Sequence, residues 1–294
     1  MSMNREKGSI LIVSLWMASV FAVLTAGLNF QAGEHVSLIK REERELEARM
    51  DFISGMALAN EKISADPEPH EDSRAKEWLG TLRLEKPWNE KMTVQIEDEE
   101  SKLNLNTASE AFLTHFLKNF VEHVSELQGS RKAFVRQILK AREKGRIQSL
   151  EELYLMEEVE KEDVEKLRPY LTVYPDHSLV NLNTVDLPVL RALIESLAGD
   201  ASAKEELVKK IERFRKTENG IFRREDIAPQ EFMRRIHVLP TPQNAVLINQ
   251  FLPCITTDSR TYRIRIVSRT GRRAEAVARD GDLRGLEILS WHEE

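Results

Sequence analysis

The stretch Gly8–Gly33, GSILIVSLWMASVFAVLTAGLNFQAG, decides the fold, because it contains no Asp, Glu, Lys or Arg. A helix needs about 20 residues to cross the hydrocarbon core of a bilayer, so this stretch is long enough to do so. Arg5 and Lys7 precede it, and the first charge that follows is Glu34. Positive residues on the short leading side predict that the leader stays in the cytoplasm and that the body is exported.

The signal around this stretch can be interpreted in several ways. A short basic leader that ends in Gly before an apolar helix resembles the class III signal of type IV pilins and pseudopilins. The resemblance implies that a prepilin peptidase cuts after Gly8, that Ser9 becomes the N-methylated new N-terminus, and that the helix stays in the mature protein. An ordinary signal anchor would look the same on this stretch alone. A secretory signal peptide is disfavoured, because its apolar core spans only 7–15 residues.

One position departs from the pilin pattern. Pilins usually carry Glu at the fifth residue after the cut, where this chain has Val13. That Glu neutralises the terminal ammonium of a neighbouring subunit inside an apolar bundle, where an unpaired charge is costly. Within the family, its absence points to the K-type minor pseudopilin, which is thought to cap the tip.

A helical pattern continues from Glu34 to Ile63. Apolar residues recur at three-, four- and seven-residue spacings along one face, and charged residues cover the other. This apolar stripe consists of Val36, Ile39, Leu46, Met50, Ile53 and Ala57. Because no Pro occurs before Pro67, one helix is predicted from Ser9 to Ile63, about 80 Å long. We expect its second half to lie against a soluble head, which would cover the stripe.

After the long helix, segments in which apolar and polar side chains alternate occur near the start and near the end of the rest of the chain. This alternation predicts strands. The predicted strands are 92–96, 103–105, 261–269, 272–279 and 286–291. The first two flank the acidic turn Glu97–Glu100 and predict a hairpin that packs on the long helix. The simplest topology is one sheet built from both ends of the head, with the intervening residues inserted.

The middle of the chain contains an internal repeat. Asn104–Ala108 returns as Asn181–Val185, and an apolar helical segment and then a basic helix follow each copy. Two such units predict a duplicated helical module, with Thr107 and Thr184 as helix N-caps. The units resemble helix-hairpin-helix modules, many of which grip the DNA backbone through a Gly-rich hairpin. Both copies lack that hairpin, so we interpret the module as scaffold and the basic helices as solvated faces.

The strand, the acidic turn and the KLNLN segment at 102–106, entered from Pro87–Trp88, resemble the general secretion pathway protein K family over nearly the whole chain. The resemblance implies an α+β fold, in which a pilin-like head (a long N-terminal helix packed on a small antiparallel sheet) contains a large inserted all-α domain of two degenerate helix-hairpin-helix (SAM-like) units. The expected divisions are a leader 1–8, the helix 9–63, the first part of the head 64–106, the two units 107–178 and 179–257, and the C-terminal strands 258–294.

The implied function is that of a non-enzymatic minor pseudopilin of a type II secretion system, in the tip complex that initiates assembly. The expected partners are other minor pseudopilins, the major pseudopilin, the inner-membrane assembly platform, the prepilin peptidase and membrane lipid. The expected location is the bacterial inner membrane, with a single pass and the body in the periplasm. The alternative is a membrane-anchored DNA receptor of the competence type. The missing hairpins and the net charge of −6 disfavour it, and no nucleic acid is expected as a partner.

The sequence contains no pattern that indicates an active site. Its seven His are scattered, its single Cys254 cannot form an internal disulfide, and it has no His-Glu-x-x-His motif or nucleotide-binding Gly loop. The family resemblance implies that the helical domain can bind calcium. However, the acidic stretches 97–100 and 157–163 lack the alternating Asp/Asn–Gly loop that positions calcium ligands, so no residue is assigned to a metal.

Overall fold

The computed structural model describes residues 3–66, 78–217, 220–281 and 285–294, with side chains from Ile12 onward. Residues 1–2 of the predicted leader and residues 67–77 of the predicted first part of the head lie outside these ranges. The helices are α1 (Met3–Ser64), α2 (Glu110–His123), α3 (Arg131–Lys144), α4 (Lys161–Leu167), α5 (Leu187–Ser196), α6 (Ala201–Arg215), α7 (Pro229–Arg235) and α8 (Pro242–Phe251). The strands are β1 (Gly80–Thr81), β2 (Met92–Asp98), β3 (Leu103–Asn104), β4 (Leu171–Thr172), β5 (Val180–Asn181), β6 (Ile255–Thr256), β7 (Thr261–Ser268), β8 (Arg273–Asp280) and β9 (Leu286–Glu293).

The predicted long helix is confirmed as α1, which runs without interruption for 62 residues. Side chains 12–44 are all exposed, so this half of the helix extends away from the rest of the protein. By length and composition, α1 is the one helix in the described part of the chain that could cross a membrane. Packing against the body begins near Ala48.

The head sheet joins strands from both ends of the body. Its order is β1-β2-β7-β8-β9, with antiparallel pairing throughout, and β2 pairs with β7 from Met92 opposite Ser268 to Asp98 opposite Tyr262. The predicted C-terminal hairpin and last strand are therefore confirmed, and so is the insertion of the helical residues between β2 and β7.

The predicted hairpin of residues 92–105 is wrong. The Leu103–Asn104 strand does not return along β2 but pairs in parallel with Leu171–Thr172. The reason is the acidic turn itself, which forms a 3₁₀ turn at Glu99–Ser101 and is buried. The Asp98 side chain caps it by accepting a 2.7 Å hydrogen bond from the Glu100 N–H, which directs the chain into the helical domain.

The face of α1 that packs on the sheet is not the predicted apolar stripe. The buried face carries Ala48, Phe52, Gly55, Ala59 and Ile63, whereas the stripe lies on the opposite side of the helix and is exposed. Small residues decide this choice, because they let the helix backbone approach the sheet closely. At Gly55 a Cβ atom would lie only 2.9 Å from Cδ1 of Ile266 on β7.

The helical domain confirms the predicted duplication. In each unit a two-residue strand ends at the first Asn of the Asn-Leu-Asn-Thr segment. This strand pairs in parallel with a strand near the unit's end: β3 with β4, and β5 with β6. The two units share one apolar core, in which α2 packs against α5.

The predicted N-caps are wrong in both units. Ser109 caps α2 by accepting a 3.1 Å hydrogen bond from the Phe112 N–H, and Asp186 precedes α5. Thr107 donates instead to the His177 carbonyl and Thr184 to Asp98. These threonines therefore link segments that are distant in the sequence rather than starting a helix.

Candidate assembly site

The exposed stripe of α1 is an apolar surface that the body leaves uncovered. Leu46, Met50 and Ile53 are 64%, 59% and 67% exposed, and they lie opposite the face that packs on the sheet. The stripe follows the alternating three- and four-residue steps of a heptad from Val36 to Ala57, with Glu43 as its one polar position. A seam with this period is the surface that a second helix packs against in a coiled coil.

Charged side chains flank this seam at the positions that set partner choice in coiled coils. Lys40 and Glu47 lie on one side, and Glu42 and Arg49 lie on the other. Glu47 already accepts a 2.8 Å hydrogen bond from Arg269 at the β7–β8 turn, and Arg49 pairs with Glu45 at 3.2 Å. The seam is therefore bordered by charges that α1 and the head hold in place.

The residues predicted for processing lie at the start of α1. Gly8 and Ser9 belong to its first turns, and Val13 is exposed within the apolar half of the helix. The cut after Gly8 and the methylation of Ser9 stay predictions.

A buried ionic cluster joins the sheet to the helical domain. We call it the acidic junction and define it as Asp98, Glu99, Glu100, Lys102 and Arg263. The carboxylate of Glu99 is fully buried and accepts hydrogen bonds from Lys102 Nζ at 2.5 Å and from Arg263 Nε at 2.7 Å. Burial raises the pKa of Glu99, but the charges of Lys102 and Arg263 outweigh burial and hold the pKa well below its usual range. Glu99 is therefore ionised.

Each carboxylate of the junction reaches a different part of the protein. Glu99 accepts from Thr172 of the first unit at 2.5 Å, and Asp98 accepts from Asn181 of the second unit at 3.0 Å. Glu100 accepts from the Arg260 N–H, just before β7, at 3.0 Å. The junction thereby fixes the orientation of both helical units relative to the head, and so relative to α1.

The two acidic stretches do not fit a calcium site. The junction carboxylates are committed to the ion pairs and hydrogen bonds described above. In the second stretch, Glu158 pairs with Arg136 and Asp163 accepts from two backbone N–H groups. Over the described ranges, no three His, Cys, Asp or Glu side chains come together in a way that could hold a metal ion.

In a DNA-binding module the backbone N–H groups of the hairpin would face DNA, but here they are hydrogen-bonded to other residues of the same chain. The N–H groups of Gln128 and Gly129, which follow α2, donate to the Asp163 carboxylate at 2.9 and 2.8 Å. In the second unit, the N–H of Ala198 donates to Gln250 Oε1 at 3.0 Å. The basic helix α3 also makes contacts within the unit, since Arg142 donates hydrogen bonds to the carbonyls of Leu105 and Ala108.

A cleft of about 740 Å³ lies between the outer face of the sheet and the first unit. Its charged side chains largely neutralise one another: Arg265 pairs with Glu97 and Glu275, and Arg168 pairs with Glu151. The cleft therefore presents no excess of one charge to a ligand.

Sequence reasoning missed the residues that complete the junction. The sequence predicts Glu97–Glu100 as an acidic turn and places Arg263 in the strand 261–269, but nothing in it brings the two together. The available signal was Asn181, a buried polar residue in an apolar strand, which donates to Asp98.

Comparison with known proteins supports the fold. No protein-family model matches the sequence, and neither does any curated protein. Among solved structures, the fold is similar to a chain in the crystal structure of the GspK-GspI-GspJ complex from the type 2 secretion system of enterotoxigenic Escherichia coli. The TM-score is 0.57 at 11% sequence identity, and the match covers 88% of this chain and 98% of that chain. The fold expected from the family resemblance is thus confirmed.

Removing Arg263 should destabilise the head strongly. Breaking a buried ion pair leaves an uncompensated charge and costs about 3–5 kcal/mol, so we expect a loss of that size in the free energy of unfolding of Arg263→Met. Arg269→Met removes the exposed partner of Glu47 and should cost less than about 1 kcal/mol. Denaturant unfolding of the detergent-solubilised chain measures both. Equal losses in the two variants would contradict a structural role for the junction.

The junction also predicts a pH dependence at its edge. His177 Nε2 lies 3.7 Å from Glu100 Oε1, and this contact raises the pKa of His177, with Asp176 adding to the effect and burial and Arg279 opposing it. A raised pKa means that the stabilisation is complete below the unfolded value of about 6.5 and is lost as the pH rises through the folded value.

We therefore expect the free energy of unfolding of the wild type, relative to that of His177→Gln, to fall as the pH rises from 6 to 8. Denaturant unfolding at several pH values measures this difference. His35→Gln, on the exposed part of α1, serves as the control and should keep the wild-type profile. If the wild type instead becomes more stable relative to His177→Gln as the pH rises, the contact lowers the pKa of His177 and the prediction is wrong.

Proposed function

We propose that this chain is a non-enzymatic minor pseudopilin of a type II secretion system and acts in the tip complex that initiates pseudopilus assembly. The observation that carries the proposal is the exposed heptad face of α1 on a fold similar to that of a chain in the GspK-GspI-GspJ complex. We further propose that residues 1–8 are cytoplasmic before cleavage, that α1 crosses the inner membrane once, and that the body lies in the periplasm.

The exposed face of α1 offers apolar area that assembly can bury. Full burial of an exposed Leu, Ile or Met side chain contributes about 1.5–3 kcal/mol. Because Leu46, Met50 and Ile53 are each about two-thirds exposed, burying what remains would contribute about 3–6 kcal/mol before the costs of association. The occupant that we propose is the N-terminal helix of another minor pseudopilin or of the major pseudopilin. Because Val13 offers no carboxylate to the terminal ammonium of a neighbour, assembly with other subunits is favoured over self-polymerisation.

The occupied hairpin amides weigh against the competence-type DNA receptor. A phosphate that approached Gln128 and Gly129 would have to displace Asp163, a carboxylate that already satisfies both N–H groups. The N–H of Ala198 in the second unit likewise donates to a residue of the same chain.

The minor-pseudopilin proposal also includes binding to the assembly platform, to the peptidase and to membrane lipid.

Substitution within the exposed face should weaken co-assembly strongly. Ile53→Lys places a charge within the apolar seam, and we expect it to reduce co-purification with co-expressed pseudopilins from solubilised membranes by about tenfold or more. Leu155→Lys makes the same chemical change at an exposed position of the helical domain and should leave co-purification unchanged. If Ile53→Lys co-purifies like the wild type, the face is not the assembly surface.

The processing site can be tested independently of assembly. Gly8→Val puts a branched side chain beside the proposed cut and should leave a full-length precursor in cells that contain the prepilin peptidase. Gly27→Val makes the same change further along α1, where a Cβ meets nothing within 4 Å, and should be processed normally. Intact-mass measurement of the membrane-purified protein distinguishes the forms. A wild-type protein that retains residues 1–8 would exclude the pseudopilin proposal.

A further inference from the structure

The outer edge of β9 offers backbone groups for pairing. Among the described residues, only β8 pairs with β9. Arg273 and Glu294 exchange both backbone hydrogen bonds, at 3.1 and 2.9 Å. In an antiparallel ladder such pairs alternate with pairs whose N–H and C=O groups point away from each other. Trp291 and Glu293, which lie opposite Ala276 and Ala274, therefore direct their backbone groups away from the sheet.

The apolar layer between α1 and the sheet continues to this edge and ends there uncovered. Ile288 and Trp291 lie opposite the buried Ala278 and Ala276, and the Trp291 ring meets Phe52 of α1 with 6.4 Å between ring centroids. Nevertheless, Ile288 is 53% exposed and Trp291 is 39% exposed. A strand added beside β9 would place its apolar side chains on these two residues.

Apart from His292, the ionisable side chains of this edge strand are all acidic. Residues 286–294 contain Glu287, Glu293 and Glu294 but no Lys, Arg or Pro, the residues with which edge strands usually prevent pairing. A β-bulge opposite Val277 and Ala278 interrupts the regular alternation, which keeps Ile288 and Trp291 on the same face. Glu287 and Glu294 lie on the other face, where Glu294 borders the cleft.

We propose that the β9 edge accepts an extended polypeptide strand that alternates apolar and basic side chains. Its apolar side chains pack on Ile288 and Trp291, and its basic side chains lie opposite Glu287 and Glu294. The sheet already contains a strand of this kind: in β7, Ile264 and Ile266 are buried against the α1 side, whereas Arg263 and Arg265 on the other face pair with Glu275 of β8. The added strand would repeat that arrangement next to β9.

A second copy of this chain does not suit the edge. Antiparallel pairing of two β9 strands in one continuous sheet requires a two-fold axis perpendicular to the sheet. Because α1 packs along the sheet, that axis would reverse the direction of α1 in the second copy. The two apolar helices would then leave the pair in opposite directions and could not enter one membrane from the same side.

The experiment uses the full chain in detergent micelles and a labelled peptide, acetyl-Lys-Val-Arg-Ile-Arg-Val-Lys-amide, with binding followed by fluorescence anisotropy. The control peptide carries N-methyl groups on its three central amides, which keeps the charge and most of the apolar surface but removes the backbone donors. We expect the unmodified peptide to bind about tenfold more tightly or better than the control peptide. Equal binding of the two would overturn the proposal, because charge attraction and apolar contacts without backbone pairing would then explain the binding.

Variants locate the binding to the edge. Ile288→Lys should weaken binding of the unmodified peptide by about tenfold or more, because it repels the basic strand and removes an apolar contact. Leu155→Lys adds the same charge elsewhere and should bind like the wild type. Thermal unfolding checks that both variants are folded, and unchanged binding by folded Ile288→Lys overturns the proposal. Sedimentation that shows a wild-type dimer, dissociated by Ile288→Lys, would also overturn it, because a second copy would then occupy the edge.

Discussion

A buried carboxylate is unstable unless it is paired, and this constraint on Glu99 organises the whole body. Glu99 follows β2, whereas Arg263 lies in β7 and Thr172 ends the first helical unit, so its partners come from distant parts of the sequence. All three have to meet at one point for Glu99 to be satisfied. The helical domain must therefore leave the sheet and return to it at the same place.

This constraint explains how a large insertion leaves the sheet intact. The insertion begins after Asp98 and ends before Tyr262, and these two residues lie opposite each other in the β2–β7 ladder. The ladder closes as if the strands were joined by a short turn. The sheet can then bury the small-residue face of α1, at Ala48, Gly55 and Ala59, while the apolar stripe stays outside. The core of the body is thus formed without the stripe, which stays exposed.

The sequence predicted best those features that depend on local chemistry. The charge-free run from Gly8 to Gly33 and the absence of Pro before Pro67 determine α1, and alternation determines β7 and β8. The hydrophobic periodicity of α1 did not predict which of its faces packs on the sheet. It showed that Leu46, Met50 and Ile53 share a face, but not that Ala48 and Gly55 would approach the sheet more closely. The hairpin at 92–105 failed for a related reason, because it assumed that neighbouring strands pair, whereas the buried turn carries Leu103 away to Leu171.

The helical units resemble a DNA-binding module in shape, but contacts within the chain take the place of contacts to DNA. Backbone N–H groups at the Gln128–Gly129 hairpin need an acceptor, and in a DNA-binding module that acceptor is a phosphate. Here Asp163 supplies the anion from the same unit, at 2.8–2.9 Å. The hairpin is thus satisfied without a ligand, and its geometry no longer depends on one. Together with the acidic junction, these internal contacts set the position of the two units relative to the head.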